Sequence, residues 1–181
     1  MKRLKTRLDG PILIETTLLR DERGFFVETY RRSTFAELGI SEEFVQHNQS
    51  RSPRGVVRGL HFQVGAGVSK LARCSRGAVL DVMVDLRRGS PTFGEWEAFE
   101  LSEENGRLAY CPIGFGHGHV VLTDEADFVY SLSDYYDGEL ERGIAYDDPD
   151  VGVQWPDLEL IASKRDATAP RLRDVQEDLP F

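Results

Sequence analysis

From Ala78 to Arg87 the chain alternates: Ala78, Leu80, Val82, Val84 and Leu86 fall on one side of an extended backbone, and Val79, Asp81, Met83, Asp85 and Arg87 on the other. A period of two residues, with the charges confined to one set, predicts a half-buried β-strand. The pattern breaks at Arg88-Gly89-Ser90-Pro91, a turn cluster, and resumes from Glu95 to Leu101. Strand-like runs also cover Ile12 to Glu15, Gly24 to Tyr30, Gly55 to Gln63, Lys70 to Cys74, Leu108 to Cys111, His117 to Thr123 and Asp127 to Ser133. Glycine or polar breaks separate most of them. Helical patterning is brief. Thr34-Phe35-Ala36-Glu37 has capping-box spacing and Gly39 supplies a stop, which predicts one or two turns. Leu172, Val175 and Leu179 recur at helical spacing after Pro170, a residue suited to a first helical turn. No internal repeat or low-complexity stretch appears. Many short strands at this spacing predict an all-β sandwich or barrel, as one domain over residues 1–181.

Composition narrows the function classes. The apolar runs are interrupted by charge far short of the roughly 20 residues needed to cross a bilayer. Met1-Lys2-Arg3-Leu4-Lys5 leads into Thr6-Arg7-Leu8-Asp9-Gly10 without the apolar core of a secretion signal, so a cytoplasmic location is expected. The 181 residues carry 31 acidic and 22 basic side chains, a net charge of −9. Long-range repulsion then argues against nucleic-acid or anionic-membrane partners. Two cysteines, Cys74 and Cys111, cannot build a disulfide framework or close a tetrahedral metal site, and read as inert core thiols. One segment runs against the acidic background. Between Arg51 and Arg76 stand Arg51, Arg54, Arg58, Lys70, Arg73 and Arg76, with no Asp or Glu. Guanidinium groups match phosphate in bidentate fashion, so an anion site is expected there. A basic strand that pairs with acidic neighbours or a second subunit is the alternative.

Four histidines are candidates for chemistry: His47, His61, His117 and His119. His61 sits in Gly55-Val56-Val57-Arg58-Gly59-Leu60-His61-Phe62-Gln63, an extended segment of small and apolar residues beside basic groups. Desolvation and like charge push such an imidazole toward its neutral form, which is what a general base must be. A core histidine bonded to backbone is the bland alternative. His117 and His119, at i and i+2 on one strand face, resemble half of a metal site, but the third histidine and the carboxylate of such a site are missing. No Walker loop, dinucleotide fingerprint or Gly-x-Ser-x-Gly elbow is present. Tyr130, Tyr135 and Tyr136 offer a proton donor or a stacking surface, against ordinary packing with a satisfied hydroxyl.

Four stretches taken together carry a resemblance: Arg58-Gly59-Leu60-His61-Phe62-Gln63; Val82 to Gly94; Pro112-Ile113-Gly114-Phe115-Gly116-His117-Gly118; and Asp134-Tyr135-Tyr136 with Glu141-Arg142-Gly143. In this order they resemble the dTDP-4-dehydrorhamnose 3,5-epimerase family, over about Gly10 to Pro170. The resemblance implies a cupin-like jelly roll, a homodimer, no metal and no cofactor. It implies a dTDP-4-keto-6-deoxyhexose substrate inverted at C3 and C5. By the same resemblance His61 is the base, Tyr130 the proton donor, Asp166 the residue that orients His61, and Lys70 the group near the sugar C4 oxygen. Arg23, Glu28, Gln46, Asn48, Arg58, His117, Tyr136, Glu141 and Arg165 match substrate-binding positions.

The sequence also departs from the pattern. Val64-Gly65-Ala66-Gly67-Val68-Ser69 lacks the prolines usual before the lysine and is one residue shorter; Ser131 and Arg165 replace lysines; His119 occupies a typically apolar position. A C3-only or C5-only epimerase is therefore the rival within the class. A metal-dependent cupin oxygenase, which bound iron would betray, and a non-catalytic nucleotide-sugar binder, which would exchange no proton, are the rivals outside it.

Overall fold

The computed structural model describes residues 1–181. In chain order the elements are β1 (Lys2–Leu4), β2 (Ile12–Glu15), β3 (Leu19–Asp21), β4 (Gly24–Phe26), α1 (Arg32–Glu37), β5 (Gln46–Pro53), β6 (Val56–Gln63), β7 (Lys70–Arg76), β8 (Ala78–Asp85), β9 (Trp96–Ser102), β10 (Arg107–Cys111), β11 (Phe115–Val121), β12 (Glu125–Leu132), β13 (Glu141–Gly143), β14 (Ile161–Ala162), α2 (Lys164–Ala167) and α3 (Leu172–Val175). One sheet has the order β1-β2-β10-β7-β12-β5; the second is β13-β6-β11-β8-β9, with β14 joined in parallel to β6. β3 and β4 form a separate hairpin. This is the expected all-β architecture, a cupin-like jelly roll of two antiparallel sheets laid face to face. No helix is long and apolar enough to cross a membrane.

Three apolar clusters hold the layers together. Between the sheets lie Leu13, Ala72, Cys74, Val79, Met83, Phe99, Leu101, Phe115 and Phe128, among others. Leu71, Leu108, Tyr110, Ile12 and Ile14 face outward from the first sheet, under Phe35 of α1 and Ile40. Leu60, Phe62, Val82, Val84 and Leu86 face outward from the second, under Ile144, Leu172 and Leu179. β8 is therefore buried on both faces, not half-buried as its alternation predicts. The C-terminal segment covers the all-apolar set on the outer face, and the set with the carboxylates, which reads as the solvent side, points inward, where Asp81 and Asp85 have no exposed surface.

Other expectations are corrected in detail. Of Gly24 to Tyr30 only Gly24–Phe26 is strand, paired with β3. The Thr34 capping box does not form: α1 begins at Arg32 behind Arg31, which makes no side-chain cap, although Gly39 does stop it with φ +97°. Pro170 lies ahead of α3, whose N-cap is Arg171, and α3 gives way after Val175 to a 3-10 turn at Gln176–Asp178. Strand β5 has no apolar alternation to announce it. Both cysteines are buried, and burial raises their thiols to about 11 for Cys74 and about 12 for Cys111, as core thiols require.

One irregularity positions the site. β6 and β11 pair His61 with His117 and Arg58 with His119, so Gly59 and Leu60 together stand opposite Gly118. The extra residue is a β-bulge on β6. Strict alternation would send Arg58 and His61, three apart, to opposite faces; the bulge lets both line the same cavity. The backbones touch here. A Cβ on Gly118 would lie 2.6 Å from the Arg58 carbonyl oxygen, and one on Gly59 would lie 2.6 Å from Gly118 Cα.

Candidate active site

A cavity of about 590 Å³ opens between the two sheets. From the second sheet it receives Arg58 and His61 of β6, His117 and His119 of β11, and Glu141 of β13; from the first, Lys70 of β7 and Phe128 and Tyr130 of β12. Tyr136, Arg165 and Asp166 complete the expected residues that line it.

His61 and Asp166 form the best defined pair. Ser163 caps α2 by accepting the Asp166 N–H, which fixes the carboxylate at the helix start. Asp166 is buried, and its Oδ1 lies 2.7 Å from His61 Nε2, leaving Nδ1 as the ring nitrogen free for other work. Burial lowers the His61 pKa, the Asp166 partner raises it again, and Lys70 adds to the lowering; the net direction is down. The base candidate is held in its neutral, proton-accepting form.

Lys70 is partly buried, with its Nζ donating to the His61 carbonyl at 3.2 Å, and desolvation lowers its pKa. Tyr130 reaches the cavity from the opposite sheet, its hydroxyl raised above the usual 10 by burial and held partly in check by a hydrogen bond with Asn48. Asn48 pairs with Tyr130 in register and accepts from Gln46 Nε2 at 3.1 Å, while Gln46 Oε1 accepts the Tyr136 N–H at 2.9 Å. Gln46 and Asn48 thus support the residues that line the cavity. Tyr136 donates to Glu141 at 3.1 Å, and Arg165 is ion-paired to the same carboxylate.

The basic segment does not form a single anion patch. Arg51 is held by Asp127 at 2.6 Å, Arg76 by Glu125 at 3.1 Å, and Arg54 lies 3.6 Å from Asp124. The alternative of pairing with acidic neighbours describes these three. Only Arg58 and Lys70 of the six reach the cavity, because Arg51 and Arg73 share the outer face of their sheet. Arg58 donates to Ser52 Oγ at 3.0 and 3.2 Å, which keeps its fork aimed inward.

Arg23 and Glu28 are not brought to this cavity. Arg23 lies in the exposed β3–β4 hairpin bound to Asp21 at 2.5 Å, and Glu28 is paired with Arg31. No cluster of three or more His, Cys, Asp or Glu side chains is arranged to hold a metal ion. His117 instead gives its Nε2 to Asp81 at 2.8 Å, and His119 stacks on Phe128 with centroids 3.9 Å apart. Ser52, Asp81 and Phe128 are the supporting residues that sequence reasoning missed. For Asp81 the signal was present: a carboxylate on the inward set of a strand rarely lacks a partner.

A neutral imidazole backed by a carboxylate, a phenol on the facing wall and a partly buried ammonium beside them make up the equipment of an enzyme that moves protons at carbon next to a carbonyl: an epimerase, of the isomerase class. Comparison with known proteins agrees. The family model of dTDP-4-dehydrorhamnose 3,5-epimerase matches residues 5–174. The dTDP-4-dehydrorhamnose 3,5-epimerase of Methanothermobacter thermautotrophicus is 47% identical over 175 residues, 94% of each chain. The crystal structure of the Legionella pneumophila dTDP-6-deoxy-D-glucose-3,5-epimerase with dTDP-4-keto-L-rhamnose superposes with a TM-score of 0.94 at 43% identity, covering 98% of this chain and 95% of that one. A 3'-monoepimerase from Streptomyces bikiniensis, in complex with dTDP-quinovose, superposes with a TM-score of 0.90 at 36% identity over 95% of this chain and 88% of that one. The chain belongs to the dTDP-4-dehydrorhamnose 3,5-epimerase family.

Proposed function

We propose that this chain converts dTDP-4-dehydro-6-deoxy-D-glucose to dTDP-4-dehydro-L-rhamnose by inverting C3 and C5. The observation that carries the reading is the opposition of the His61–Asp166 pair on one sheet and Tyr130 on the other across one cavity. The C4 ketone acidifies the hydrogens on its neighbouring carbons, but the carbanion still needs its charge taken up. Lys70 is the group for that enolate oxygen, working in a partly buried site where charge interactions are stronger than in open water. Neutral His61 takes the proton through Nδ1, Asp166 stabilises the imidazolium, and Tyr130 returns a proton to the other face of the ring. Inversion follows because hydrogen leaves and arrives on opposite sides. Arg58, steadied by Ser52, suits the diphosphate. Tyr136, Glu141, Arg165 and His117 line the same cavity as further substrate contacts.

A homodimer accounts for Arg23 and Glu28. The β3–β4 hairpin exposes Leu19 and Phe26 side by side on one face, with Phe25 on the other beneath Arg20, an apolar surface that a second copy would cover. Docked there, the hairpin carries Arg23 and Glu28 to a nucleotide that their own cavity does not let them reach.

Turnover in deuterium oxide tests the chemistry. The native protein should place deuterium at C3 and C5, and His61→Ala should lose label at both carbons, with a rate loss of about 10²- to 10⁴-fold. Full labelling by His61→Ala would refute the base assignment. Label at C3 alone in the native product would establish the 3'-monoepimerase reading, which the Streptomyces bikiniensis relative keeps open.

A further inference from the structure

His119 has no task in the chemistry above, yet its placement is costly. The ring is 5% exposed and its Nε2 is buried without a hydrogen-bond partner. A buried polar atom left unpaired costs about 1–3 kcal/mol, whereas an apolar side chain of similar shape would cost little. The stack on Phe128 would accept a phenyl ring equally well.

Its neighbours explain what the imidazole adds. His119 stands directly opposite Arg58 on β6 and directly opposite Asp81 on β8. Directly opposed residues hold their Cβ atoms about 4.5–5.5 Å apart. Arg58 is the cation suited to the ligand's diphosphate, and Asp81 Oδ1, like His119 Nε2, is buried without a partner. The other charged or titratable groups around this part of the cavity are His61 on β6, His117 on β11, Lys70 on β7, Tyr130 on β12 and Glu141 on β13. Asp166 is committed to His61 and Arg165 to Glu141. With the cavity free of an anion, burial first and then His117, Arg58, His61 and Lys70 keep His119 well below its ordinary pKa.

We propose that His119 is a ligand-linked proton acceptor of the diphosphate subsite: it takes one proton from solvent as the diphosphate of a nucleotide sugar enters beside Arg58. This rests on the nucleotide-sugar reading. The diphosphate's two negative charges offset the cationic surroundings that oppose protonation, and Asp81, directly opposite on β8 with one oxygen unpaired, adds a carboxylate on the same sheet face. Because the bound state holds the extra proton, affinity rises as pH falls.

Calorimetric titration with dTDP-glucose, in buffers of different ionisation enthalpy, counts the protons taken up on binding; its diphosphate diester, unlike a terminal phosphate, does not titrate near neutrality. The native protein should take up a fraction of a proton per ligand near neutral pH, with affinity tightening by up to about tenfold per pH unit as the medium is acidified. His119→Phe, which keeps the stack, and His119→Gln, which keeps a polar group that cannot be protonated, should both lose that increment and bind more weakly at acid pH. If either folded variant takes up protons as the native protein does, or if the native protein takes up none, the assignment is overturned. If the native protein fails to bind dTDP-glucose at all, the nucleotide-sugar reading itself falls.

Discussion

His61 shows what one residue's surroundings decide. The burial that lowers its pKa outweighs the Asp166 carboxylate that raises it, so the imidazole stays neutral across the neutral range. Activity should therefore fall on the acid side only as pH drops through a value below the ordinary 6.5, where the base becomes charged. Asp166→Asn removes the raising partner: the acid limb of kcat/KM against pH should move to lower pH while kcat falls about 10²-fold or more, since the imidazolium loses its counter-charge. An acid limb that moves upward in this variant would contradict the assignment. His61 was legible from its strand and its motif; Tyr130 was one of three tyrosines offered as a proton donor and was singled out only by the resemblance, and Asp166 came through the resemblance alone, since nothing local marks an aspartate in a short helix as chemical. The six cations misled for a physical reason. Sequence proximity does not say which face a strand turns outward, and Arg51, Arg54 and Arg76 find their partners across strands or turns.

At the scale of elements, alternation is readable where one face meets water or polar groups and the other meets the core. It identified β8 and nearly all the long strands, but β5 escaped, because its inward residues Gln46, Asn48, Ser50 and Ser52 are polar to suit the cavity they serve. The turn after β8 illustrates how a break is stabilised. Asp85 has no exposed surface and accepts from Arg87, from Ser90 Oγ at 2.5 Å and from Thr92 Oγ at 2.7 Å. Burial works to raise its pKa, but these bonds together lower it from 3.8 to about 2. A depressed carboxylate contributes stability above its unfolded value and loses it as pH falls through the folded one. Asp85→Asn should thus cost about 2 kcal/mol at neutral pH, with the difference from the native protein vanishing between about pH 4 and about pH 2 in urea melts. A difference that persists unchanged at the acid end would show that shape, not charge, carries the effect.

The whole molecule places the chemistry between two sheets and leaves the β3–β4 hairpin reaching outward. Phe26 is 68% exposed at its end, next to Phe25 and opposite Leu19. Phe26→Asp should shift the protein toward monomer in sedimentation and weaken dTDP binding along with it; a monomeric variant with native affinity would remove the hairpin from the nucleotide site. The architecture was readable from strand count and turn spacing, and its family from the motifs. The outer layers were not, since α1 and the C-terminal segment cover their sheets with a handful of apolar residues each.

The extra residue in β6 has a meaning for how such a site can change over generations. Arg58 and His61 share a wall because the two residues between them stand against a single residue of the partner strand. A one-residue slip of register that ironed out the bulge while keeping both intervening residues would turn the anion's cation away from its base in a single step. Side chains in this stretch are free to drift, whereas the pairing of Arg58 with His119 and of His61 with His117 is what descent must copy.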